Sequence, residues 1–161
     1  MTTRDEEFVE FASAHGPSLR RTAYLMCRDW HLAQDLTQTA LAKLYAAWGR
    51  LNWLDNPLAY ARKVLLRTFL DHQRRHDAHE LVVESVPDTA HETSPELRLT
   101  LLDALGHLPP RDRAIVVLRY WEDQSIEAVA ELVGTTVSVV KTQSMRSLTK
   151  LRQLLGEDLL T

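Results

Sequence analysis

Along the first half of the chain apolar residues recur every three or four positions, and no useful length alternates apolar with polar. That pattern predicts α-helix and argues against strand. Phe8, Phe11 and Ala12 predict a short first helix, and Pro17 after Gly16 predicts the start of a second that runs through Cys27, because proline is tolerated in a first turn and disfavoured in a helix interior. Leu32, Leu36, Ala40, Leu44 and Trp48 stripe a third. Asn56 is a good N-cap and Pro57 suits the first helical position, so a fourth helix is expected from Pro57 to about His76, burying Leu58, Ala61, Leu65 and Phe69.

The pattern lapses between Asp77 and Glu96, where Asp77, Glu80, Glu84, Asp88, Glu92 and Glu96 occur with two prolines and no Lys or Arg. This stretch reads as an acidic linker, extended by its own repulsion and serving either as a solvated tether or as something more. From Ser94 and Pro95 to Leu155 helical periodicity returns, broken at Leu108-Pro109-Pro110, at Asp123-Gln124-Ser125 and at Gly134. Four helices follow. The expectation is an all-α protein of two small helical domains: residues 1–76, a linker at 77–96, and a four-helix domain at 97–161.

Composition agrees without deciding the function. The chain has 161 residues, 45% hydrophobic and 25% charged, with 5 Gly and 6 Pro, as expected of an ordinary helical globular protein. MTTRDEEFVE carries acids where a secretory signal needs a basic start, and no later run is apolar enough to span a bilayer. A cytoplasmic protein without a membrane partner is expected. The single cysteine, Cys27, forbids an internal disulfide and reads as a small buried hydrophobe. The net charge of −3 argues against indiscriminate coating of nucleic acid, but it conceals two basic stripes.

One stripe lies in SIEAVAELVGTTVSVVKTQSMRSLTKL, residues 125–151, which has the anatomy of a helix-turn-helix. Ser125 can cap a first helix with Ile126, Val129, Ala130 and Leu132 inward. Gly134 permits the positive φ of a tight turn, and Thr135 or Thr136 can cap the second helix. At about 100° per residue, Val137, Val140, Ser144, Leu148 and Leu151 share one side of that helix, and Ser138, Thr142, Met145, Arg146 and Thr149 share the other, with Lys141 at its edge. Hydroxyls, a methionine and a guanidinium suit the major groove of DNA: Met can touch a thymine methyl and Arg can take guanine bidentately. Residues 134–153 hold Lys141, Arg146, Lys150 and Arg152 and no acid, which supplies attraction for phosphates.

The other stripe is AYARKVLLRTFLDHQRRH, residues 59–76, where Arg62, Lys63, Arg67, Arg74 and Arg75 outweigh Asp71, with Trp48, Trp53 and Tyr60 nearby. Cations beside aromatics suit single-stranded DNA, although aromatics at helix ends also serve as core. His72, His76 and His79 fall at helical spacing, but flanking Arg74 and Arg75 would repel a cation and no fourth ligand is evident. No metal, cofactor or catalytic set is assigned, and the chain does not read as an enzyme.

These segments resemble an extracytoplasmic-function sigma factor of bacterial RNA polymerase, of the two-domain kind and over nearly the whole chain. RRTAYLMCRDWHLAQDLTQTALAKLYAAW is similar to the family's core-binding part, with Ala33-Gln34-Asp35-Leu36-Thr37-Gln38 in place of its AxDLxQ-like stretch. LPPRDRAIVVLRYWEDQSIEAVAELVGTTVSVVKTQSMRSLTKLR, residues 108–152, is similar to its promoter-binding domain.

The resemblance implies a subunit that binds core RNA polymerase and promoter DNA, recognises the −35 element as duplex, helps open the −10 element, and is often restrained by an anti-sigma factor. It carries polymerase docking onto Asp35, Leu36 and Gln38, of which Leu36 also falls on the buried stripe. It carries −35 contacts onto Lys141, Thr142, Met145 and Arg146, to which the free face adds Ser138. The −10 reader maps onto Trp53 to Asn56 with Arg67, Arg74 and Arg75. Arg67 stands where the family often has Asn, so its −10 preference does not transfer. The linker then acquires a path through the polymerase, its acids mimicking nucleic acid. A stand-alone helix-turn-helix regulator is the alternative, and its N-terminal half would be a sensor built with strands.

Overall fold

A computed structural model describes residues 3–50, 56–80 and 96–156, with backbone alone at 78–80 and 96–100. Trp53 and the middle of the acidic stretch lie outside the described residues. Every described element is helical: α1 (Arg4–Cys27), α2 (Trp30–Ala47) with a 3-10 turn at Trp48–Arg50, α3 (Pro57–Glu80), α4 (Glu96–Gly106), α5 (Pro110–Val116) running into a π turn at Val117–Trp121, α6 (Ile126–Val133) and α7 (Val137–Leu155). The chain divides into two compact units at Asp71 and His72, inside α3.

In the first unit the two helices expected before Cys27 are one. Thr3 and Glu6 start it with a reciprocal capping box, at 3.1 and 3.3 Å. Pro17 lies inside it and supplies no N–H to the carbonyl of Ser13, a loss of about 3 kcal/mol in an isolated helix. Packing on both sides of that point overrides the break. Phe8 and Phe11 rest against Trp48, with ring centroids 5.4 Å apart in each case, and Leu19, Ala23 and Met26 are fully buried further along.

At the next junction Arg28 takes the left-handed conformation, φ 64°, and Asp29 caps α2 by accepting from the N–H groups of His31 and Leu32. Cys27 is half-buried there, not wholly so, and its thiol donates to the Asp29 carbonyl. The buried stripe of α2 is Ala33, Leu36, Thr37, Ala40, Leu44 and Ala47, with Leu32 turned half outward. Asn56 caps α3 by accepting from the Ala59 N–H at 3.1 Å. Helix α3 buries Ala61, Leu65, Leu66 and Phe69, leaves Leu58 half-exposed, and runs past His76 to Glu80. Lys43 of α2 donates to Thr68 of α3 at 3.2 Å.

In the second unit α4 contributes Leu102 and Leu105, the segment after it Leu108, α5 and its π turn Ala114 to Leu118, α6 Val129 and Ala130, and α7 Val140, Leu151 and Leu155. Arg113, nearly buried, ties α5 to the end of α4 by donating to the carbonyls of Leu105 and Leu108 at 3.0 and 3.1 Å. Beyond the π turn Asp123 takes φ 54°, and Arg119 donates to the next carbonyl, that of Gln124, at 2.6 Å. That geometry sets the entry to α6.

Candidate nucleic-acid interface

Helices α6 and α7 meet in a tight, fully capped turn. Ser125 accepts from Ala128 N–H at 3.0 Å, Gly134 takes φ 77° and returns its N–H to Ala130, and Thr136 accepts from Val139 N–H at 3.2 Å. Of the two threonines, Thr136 is the cap. The left-handed Gly134 would strain any residue with a Cβ, although no atom lies within 4 Å of where one would stand.

Beyond the turn α7 buries Val140, Ser144, Ser147, Leu151 and Leu155, so the core stripe passes through Ser147, while Val137 and Leu148 sit at its margin, half-buried. Ser138, Lys141, Thr142, Met145, Arg146 and Thr149 are all exposed. Lys141, expected at the edge, belongs to the open face. Met145 is 70% exposed, an apolar side chain in water where burial elsewhere would be favourable. Met145, Arg146, Thr149, Lys150 and Gln153 rim a shallow depression, and the Thr149 hydroxyl donates back to the Met145 carbonyl at 2.9 Å. Across this face cations, hydroxyls and an apolar tip lie along a single helix narrow enough for a major groove.

Lys150 is tied within the domain: its ammonium donates to the His107 carbonyl at 2.8 Å. Sequence spacing offers no signal for this bond, because the carbonyl it reaches lies 43 residues away in the chain.

The second stripe is less uniform. Arg67, Arg74 and Arg75 are exposed along α3, while Asn56 has its carboxamide oxygen engaged in capping. Trp48, which the sequence places on the apolar stripe and also offers as aromatic surface, is 6% exposed and packed against Phe8 and Phe11; it is core, as the stripe implies, because the 3-10 turn folds it back over α1. Tyr60 is half-buried. The rings of His72 and His76 stack with centroids 6.1 Å apart. Burial first, then the neighbouring His76 and Arg75, push the His72 imidazole below its ordinary range. Among the described residues no three metal-ligating side chains cluster.

On α2, Asp35 and Gln38 are exposed, whereas Leu36 between them is 3% exposed and faces the core. Leu36 therefore holds the helix and presents no surface of its own. Gln38 borders a groove between α1 and α2 formed with Val9, Ala12, Gly16, Pro17 and Gln34. In the sequence that groove is marked only by small residues at Ala12, Ser13 and Gly16 beside Pro17. Elsewhere, Trp30 is stacked on Tyr24 at 3.8 Å and has Arg20 over its ring, so it is already partnered.

Residues 11–79 match the family model for sigma-70 region 2, and residues 98–151 match that for sigma-70 region 4. An RNA polymerase sigma-E factor of Streptomyces coelicolor is 34% identical over 157 residues, covering 95% of this chain and 89% of that protein. The RNA polymerase sigma factor CarQ of Myxococcus xanthus is 32% identical, covering 94% of this chain and 91% of that one. Among solved structures, the sigma factor RpoE of Bartonella quintana, in complex with the anti-sigma factor NepR, shares the fold with a TM-score of 0.74 at 24% identity, over 93% of this chain and 97% of that one.

Proposed function

This chain belongs to the extracytoplasmic-function group of RNA polymerase sigma factors, in the sigma-70 family, and from that membership we propose how its two helical units divide the work of promoter recognition. As a sigma factor it directs transcription initiation with RNA polymerase and promoter DNA. Its described residues contain no strand, unlike the sensor half of a stand-alone regulator, and no helix long and apolar enough to cross a membrane.

Helix α7 enters the major groove of the −35 duplex. The observation that carries this is its open face, where Ser138, Lys141, Thr142, Met145 and Arg146 are exposed together on the second helix of a capped helix-turn-helix. Arg146 reads guanine, Met145 packs on a thymine methyl, and Lys141, Arg152 and the hydroxyls hold phosphates. Residues 97–161 form this domain and 1–76 the domain that meets the −10 element, through Trp53, Asn56, Arg67, Arg74 and Arg75. Because Asn56 has its oxygen in a cap, its amide protons are what it offers to a base. Asp35 and Gln38 dock on core polymerase, with the α1–α2 groove continuing that surface. The acids of 77–96 follow a basic channel of the polymerase, and an anti-sigma factor is a regulatory partner, as NepR is for the Bartonella protein.

The test is the affinity of holoenzyme for a panel of −35 single-base variants at several salt concentrations. Arg146→Ala is expected to remove discrimination worth about 1–3 kcal/mol at one position. Met145→Ala should lower affinity only where its thymine is present, with the salt slope unchanged. A uniform loss across the panel for Arg146→Ala would make that residue a phosphate contact and overturn the reading face.

A further inference from the structure

The end of α4 and the turn that follows it are held by cations from two other helices. Arg113 of α5 takes the carbonyls of Leu105 and Leu108, and Lys150 of α7 takes that of His107. The C-terminal end of a helix carries the negative end of its dipole, so a cation is favoured at and just beyond it. Lys150 lies one turn beyond Arg146, 43 residues in sequence from His107, and its bond of 2.8 Å ties α7 to the turn that ends α4. We propose that Lys150 is a positioning residue, which sets the rotation of α7 about its own axis so that Met145 and Arg146 face the groove, and is not a phosphate contact. This rests on the reading of α7 as the −35 helix.

The packing of α7 explains why a polar tie is needed. Two of its buried positions are serines, Ser144 and Ser147, at 6% and 3% exposure. Small side chains leave shallow ridges, and shallow ridges resist rotation less than interlocked leucines do. The Ser144 hydroxyl, moreover, is buried without a hydrogen-bond partner. Lys150 supplies the directional bond that this stripe lacks, and its ammonium is engaged by the His107 carbonyl. At Lys141 and Arg152 no such tie competes, and both are exposed.

The test uses holoenzyme carrying wild-type, Lys150→Met, Lys150→Arg or Lys141→Ala chains. The probe is a −35 duplex selected by wild-type holoenzyme from a randomised library, together with its single-base variants, across a salt series. Lys150→Met keeps the stem and loses the charge. It should narrow discrimination at the base read by Arg146 by about threefold, the scale of one exposed hydrogen bond, with the slope of log affinity against log salt unchanged. Lys150→Arg should restore discrimination, and Lys141→Ala should flatten the slope by about one unit. A slope that falls by one unit in Lys150→Met identifies a phosphate contact and overturns the proposal. Unchanged discrimination in that variant, with or without a lower melting temperature, leaves only a structural role and also overturns it. The groove reading fails separately, when Arg146→Ala leaves the same panel undiscriminated from wild type.

Discussion

Helices α2 and α7 are similar in length and both carry residues assigned to a macromolecular partner, yet they deploy them differently. On α7 the assigned residues Ser138, Lys141, Thr142, Met145 and Arg146 are all exposed, and the core is left to another side. On α2 the assigned residues straddle the core boundary, with Asp35 and Gln38 outside and Leu36 inside. The difference follows from helical geometry. Positions i, i+3, i+4, i+7 and i+8 share a face, so the α7 set can be changed without touching the core, whereas three nearly consecutive positions on α2 must include one that points inward. The proposed DNA-reading face of α7 can therefore diversify freely, and the proposed docking face of α2 is coupled to the stability of its unit.

The largest effect expected from this contrast is on Leu36. Leu36→Ala should destabilise the chain by about 2–5 kcal/mol, as for other buried leucines, while Met145→Ala should change stability by no more than about 0.5 kcal/mol. Urea denaturation of the two variants checks this, and equal midpoints would erase the distinction between the helices.

Next in size is the cap of α7. Thr136→Ala removes the acceptor for Val139 N–H and should cost about 1 kcal/mol, lowering −35 affinity without altering base preference. Equilibrium denaturation and the duplex panel together test it.

Changing Asp35 and Gln38 to alanine together should leave stability within about 0.5 kcal/mol and weaken binding to core polymerase, measured by competition for core with the wild-type chain. Unchanged affinity would remove α2 from the docking surface.

The smallest expected effect is a pH dependence at His72. Burial, His76 and Arg75 lower its folded-state value, so the unfolded chain takes up the proton first. Its contribution to stability is complete above the ordinary value of about 6.5 and is lost as pH falls through the lower folded value. His72→Gln should flatten that decline in urea midpoints between neutral and mildly acidic pH; an unaltered slope would show that His72 is not the group responsible.

Where local chemistry decided the outcome, the sequence was a good guide. Asn56 and Pro57 start α3, Ser125 and Gly134 bound α6, and the free side of α7 is the side that periodicity assigned. Where distant packing decided, it was not. Pro17 runs inside α1 because Phe8 and Phe11 pack on Trp48, a residue a whole helix away. Lys150 looked like one more phosphate contact because nothing near it in the chain announces the His107 carbonyl. Local rules cannot see a partner 43 residues away, so a basic charge on a recognition helix tells its sign but not its direction.

The contrast between the two helices reduces to which macromolecule each face touches. A photo-crosslinking amino acid placed at position 145 or at position 38, in holoenzyme bound to promoter DNA, reports this directly. Position 145 is predicted to crosslink to the −35 duplex and position 38 to a polymerase subunit. Crosslinks from position 145 to protein alone, or from position 38 to DNA, would contradict the assignment of the two faces.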